Sequence, residues 1–207
     1  MRKFREYYSR MNRPSDSEIA QLKQVAREMR ESASADGHTV ELAIDQNAAF
    51  GQSRGPSSGL ERALIVDAAR RGASQSGLGV DAASGGLDII GGSDGIVRKY
   101  RVKRITRTAD GSYDVICGEG SSLLTVEPSL FAEEKWLLGF ITTDEHTIDE
   151  LVAAEIVGWR GDGPVHLTFG TIIDLSDDQP PRGFTSTDEG LEGFDEDEGD
   201  LGQADSM

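Results

Sequence analysis

The stretch "IVRKYRVKRITRT" (residues 96–108), continued by "ADGS" (109–112) and "YDVIC" (113–117), decides how the fold is read. Strand side chains alternate between faces, so Tyr100 and Val102 fall on one side and Lys99, Arg101 and Lys103 on the other. Asp110 and Gly111 form a turn dipeptide, and Tyr113, Val115 and Cys117 then line one face of a returning strand. The pattern predicts a β-hairpin. It also gathers Arg98, Lys99, Arg101, Lys103, Arg104 and Arg107 in a chain whose formal net charge is −16.

Such a stripe has three physical readings. Long cations on a solvated strand shield the sheet and discourage edge pairing. Carboxylates of the chain's own acidic end, or of a partner, can cover the stripe. A phosphate backbone can also lie along it. The six cations are accordingly the predicted anion- or partner-binding residues. Tyr100 is the only aromatic in the strand, so a base-stacking surface is not indicated.

Working outward, "SSLLTVE" (121–127) suggests a third strand, and Pro128 leads into "SLFAEEKWLLG" (129–139), read as a short helix closed by Gly139. In "DEHTIDELVAAEIVGW" (144–159), Thr147 and Glu150 have capping-box spacing, and Ile148, Leu151, Val152 and Ile156 repeat as on a helix. "VHLTFGTIIDL" (165–175) places Val165, Leu167, Phe169, Ile173 and Leu175 at alternate positions, as in a strand. Upstream, Ser15 and Glu18 cap a helix carrying Ile19, Leu22, Ala26 and Met29, whereas "HTVELAI" (38–44) alternates like a short strand. Ser58 and Glu61 open a second helix, with Leu60, Leu64 and Ala68 on one face, Asp67 four residues before Arg71, and Gly72 as its stop.

The domain reading is a basic, helical N-terminal arm (1–35), a strand plus helix (36–72), a Gly/Ser-rich loop or linker (73–95) with a brief extended piece at Leu87 to Ile90, an α+β core (96–175) and a disordered acidic tail (176–207). The expected fold is α+β, a small antiparallel sheet flanked by helices. Charge follows these divisions: residues 1–126 hold 18 Lys/Arg against 16 Asp/Glu, and residues 127–207 hold 3 against 21. The arm sets Arg2, Lys3, Arg5, Arg10 and Arg13 around Phe4, Tyr7 and Tyr8.

Several chemistries are disfavoured. Cys117 is the only cysteine, which excludes an internal disulfide and a multi-cysteine zinc site. "GQSRG" (51–55) and "GGSDG" (91–95) match the nucleophile-elbow pattern, but Pro56 interrupts the helix entry after Ser53 and too few strands precede it. Asp144, Glu145, His146, Asp149 and Glu150 are explained by the preference of acids for a helix N-terminus, so no metal is expected. "DEDEGD" (195–200) lacks calcium-loop spacing. No apolar run approaches the roughly 18 to 20 residues of a membrane helix. The opening lacks a signal peptide's apolar stretch, so the expected location is cytoplasmic, without a membrane partner.

These readings converge on a non-enzymatic interaction or assembly protein without cofactors, one version being a subunit of a larger complex or virion. It would contact an acidic or phosphate surface through its basic strand and arm, regulated by the acidic tail. An accessory nucleic-acid-binding protein is the alternative, and a small serine hydrolase the third class.

Overall fold

A computed structural model of the chain describes residues 13–47, 49–82, 86–93, 95–118, 121–124, 132–161 and 165–176. The first twelve residues of the basic arm and the acidic tail beyond Ser176 lie outside them. The described helices are α1 (Asp16–Asp36), α2 (His38–Asp45) and α3 (Arg54–Ser76). The strands are β1 (Gly79–Asp81), β2 (Asp88–Gly91), β3 (Ile96–Arg104), β4 (Thr106–Arg107), β5 (Tyr113–Asp114), β6 (Ile116–Cys117), β7 (Ala132–Thr142), β8 (Ile148–Arg160) and β9 (Val165–Asp174).

Helix α1 starts where the sequence places it, with the Glu18 backbone N–H donating to Ser15 Oγ at 3.2 Å. Its buried stripe is Leu22, Val25, Ala26, Met29 and Ala33. Helix α3 carries the expected Asp67–Arg71 pair but runs past Gly72 and ends at Gly77, whose φ of 78° is a left-handed cap. Gly72 serves packing instead. A Cβ there would lie 2.9 Å from the Val25 backbone, so the missing side chain lets α3 lie close against α1.

Seven strands form one sheet in the order β1-β2-β3-β7-β8-β9-β6, while β4 and β5 form a separate two-stranded ladder. Within the large sheet β3 and β7 run parallel and the other neighbours antiparallel. The expected small antiparallel sheet is thus replaced by a large mixed sheet, curled into a half-barrel, with three helices. Strand β3 lies inside the sheet between β2 and β7 and does not form a long hairpin with residues 113–117. The chain leaves it at Ile105, turns through the β4–β5 ladder and adds β6 to the far edge beside β9.

Two segments read as helical are the long strands β7 and β8. The error has a physical cause. Trp136, Leu138, Phe140, Leu151 and Ala153 join the helix-side core, whereas Leu137, Val152 and Ala154 join a second core on the opposite face. A strand buried on both faces shows a continuous apolar run with no alternation, which also satisfies a helical template. The "HTVELAI" segment errs the other way and is helical, with only Val40 of α2 buried.

Strand β9 forms where expected, yet its apolar positions divide between the faces. Leu167 packs in one core and Ile173 in the other, because pairing with β8 shifts between Ala154 and Ile156. That bulge turns the side-chain alternation over midway along the strand.

Candidate interaction site

Each predicted cation has a partner inside the fold. Arg98 is buried, its Nη1 2.9 Å from Glu18 Oε2 and its Nε 2.8 Å from Glu134 Oε2. Tyr100 O–H donates to the other Glu18 oxygen at 2.8 Å. Burial, and then the adjacent Glu18 carboxylate, push the Tyr100 phenol far above its ordinary titration range. Arg101 is buried against Asp88, which stands directly across the β2–β3 ladder, with Nη2 to Oδ2 at 2.8 Å. Its hydrogen bond to Asp88 raises the Arg101 pKa further.

On the same face as Arg101, Lys99 pairs with Glu133 at 2.9 Å. Lys103 Nζ donates to the Ile116 carbonyl at 3.0 Å, tying the excursion after β3 back to its origin. Arg104 lies 3.3 Å from Glu61, and Arg107 lies 2.8 Å from Glu150. Only these last two side chains are about half exposed, at 48% and 51%. The cations of β3 therefore tie that strand to α1, β2, β7 and α3, and Arg107 ties β4 to β8.

Arg104 also borders a polar cleft of about 310 Å³ with Ser57, Ser58, Glu61, Asp144 and His146. His146 occupies the tip of the β7–β8 hairpin with φ 59°, and its Nδ1 lies 2.8 Å from Glu61 Oε2. Thr142 O–H donates to Glu61 Oε1 at 2.9 Å. A carboxylate that orients an imidazole resembles part of a hydrolytic triad. Among the described residues, however, no hydroxyl is hydrogen-bonded to the ring, and Ser53, the N-cap of α3, does not line the cleft. The pair works as a latch between hairpin tip and helix. His166 Nδ1 likewise lies 2.8 Å from Asp114. Among the described residues no cluster of three or more His, Cys, Asp or Glu side chains is arranged to hold a metal ion, and no helix is long and apolar enough to cross a membrane.

A different surface stands out on the second face. Trp159 pairs opposite Leu167 and Ile172 opposite Ala154, both members of the second core, so these two exposed side chains share its face. Trp159 is 51% exposed, Val157 54% and Ile172 45%. Val157 stands in the second β8 bulge, between Ile156 and Gly158. Around it a groove of about 320 Å³ is lined by Leu123, Leu124, Ile156 and Trp159, with Glu133, Glu134, Lys135 and Glu155 also on its walls.

Reading "EIVGW" as one side of a helix hid this surface. The signals available in the sequence were Gly158 within an apolar run and a tryptophan at its end. No protein-family model matches the chain, and no curated protein and no solved structure matches it.

Proposed function

We propose that the protein is a non-enzymatic interaction or assembly component that meets a protein partner through the apolar surface around Trp159. The observation that carries this reading is the half-exposure of Trp159 and Val157, which line the same groove from β8. Exposed apolar side chains grouped in one place mark contact sites, and tryptophan is enriched among the residues that dominate binding energy. Charge supports the same location. The cations of β3 are engaged by acids of the fold, so a partner reaching that strand would have to displace ion pairs.

Affinity capture with full-length protein, followed by purification and titration of the captured protein, tests the reading. Trp159→Asp is expected to bind that partner at least about tenfold more weakly, about 1.4 kcal/mol. Equal affinity overturns it. The same titration with duplex DNA and single-stranded RNA addresses the nucleic-acid alternative. Salt-steep binding that survives Trp159→Asp and is lost in Arg104→Ala with Arg107→Ala would replace the apolar reading.

A further inference from the structure

We propose that the polar cleft at the end of β3 binds inorganic phosphate or a small phosphate monoester, held by Arg104, His146, Ser57 and Ser58. The site lies at the opposite end of β7 from the groove beside Trp159 and is independent of the interaction reading.

Three elements supply the donors. Arg104 ends β3, His146 stands in the hairpin that follows β7, and Ser57 and Ser58 belong to the opening of α3. Glu61 lies behind them with its side chain only 5% exposed, and both of its oxygens are engaged from within. Oε1 accepts the Thr142 hydroxyl, and Oε2 faces His146 Nδ1. A carboxylate only accepts, so Nδ1 carries a proton and Nε2 is the ring nitrogen left for the cleft. Arg104 approaches Glu61 through Nη1 at 3.3 Å, and among the described residues its Nε and Nη2 have no partner. Most of the planar fork of the guanidinium therefore remains for an oxyanion. His146 keeps its place at a backbone cost. With φ 59° it takes the left-handed position of a loop closed by the Thr143 N–H donating to the Thr147 carbonyl, where glycine is the ordinary choice. A side chain retained at such a position points to a task for its ring.

Donors arriving from three elements suit a tetrahedral oxyanion, which presents oxygens in several directions. A planar carboxylate would be taken up by the Arg104 fork alone. The volume of about 310 Å³ admits a phosphate carrying a short organic group. Asp144, exposed on the rim and without a cation partner among the described residues, sets the specificity. Its carboxylate repels a fully ionised anion such as sulfate, but it accepts the P–O–H proton that phosphate retains near neutral pH. An acceptor at this place discriminates between the two.

Titration of the full-length protein with inorganic phosphate at constant ionic strength, followed by NMR of the histidine rings, tests the assignment. A saturable shift is expected at His146 and none at His38 or His166. Arg104→Ala should weaken binding about tenfold or more, and Arg104→Lys, which keeps a charge beside Glu61 but loses the fork, about threefold or more. The lysine variant decides the matter if the alanine variant does not fold. Sulfate should bind about fivefold more weakly than phosphate, and Asp144→Asn should remove that difference. Methyl phosphate separates the two sources: affinity equal to or above that of inorganic phosphate assigns a monoester, and affinity about tenfold lower assigns the free ion, since each tenfold step is a full hydrogen-bonded contact. Three results overturn the proposal: no saturable shift at His146, equal shifts at all three histidines, or unchanged affinity in the folded Arg104 variants. Sulfate binding as tightly as phosphate overturns the phosphate assignment.

Discussion

Burying a carboxylate beside a guanidinium removes two charges from water, and at Glu18 the cost is offset by Arg98 and by the Tyr100 hydroxyl. Removing one member of such a pair leaves an uncompensated buried charge. Arg98→Ala is therefore expected to cost about 3 to 5 kcal/mol, and Tyr100→Phe about 1.5 to 3, read as shifts in urea denaturation. Asp110 is the opposite case, exposed in the β4–β5 turn and accepting from the Thr108 and Ser112 hydroxyls and the Ser112 backbone N–H. These hydrogen bonds, led by that from Thr108, depress its carboxyl from 3.8 to about 2. A depressed folded pKa contributes stability that is complete above the unfolded value, so the contribution should fade as pH falls from 3.8 toward about 2. An NMR titration of the Asp110 carboxyl should show that midpoint, and Ser112→Ala with Thr108→Val should move it back toward 3.8.

At the scale of elements, the same residue types were read correctly or not according to how many faces they bury. Helix α1 buries one stripe and was legible from its cap and spacing, as were β3 and β9 from their alternation. Strands β7 and β8 bury both faces over Leu137–Phe140 and Leu151–Ala154, and local periodicity then carries no information about element type. Gly72 illustrates a related ambiguity. A glycine after an apolar helix signals a stop, yet here it is the site of closest approach between two helices. Gly72→Ala should accordingly destabilise the protein by about 1 to 3 kcal/mol through overpacking, despite alanine's helix propensity being about 1 kcal/mol better. Thermal denaturation checks the sign, since a mid-helix glycine with open space beside it would instead gain stability on becoming alanine.

At the scale of the whole molecule, two cores share one sheet. Leu138 faces the helices and Leu137 the second core from adjacent positions of β7, so neither core can open without disturbing the strand that serves both. Cys117 is buried in the second core and reports on it. Its thiol should become reactive at the urea concentration where helical circular dichroism is lost, whereas an earlier exposure would mean that the second core unfolds independently. The concentration of cations in residues 98–107, the first helix, strand β3 and the last strand were determined by the sequence itself, because they follow from charge, capping and alternation within a few residues. Which acids meet those cations was decided only by the tertiary structure. Glu18, Glu61, Asp88, Glu134 and Glu150 come from α1, α3, β2, β7 and β8, and long-range pairing of this kind leaves no mark on local sequence. The same holds for Trp159, whose exposure follows from bulges formed only when β8 meets β9.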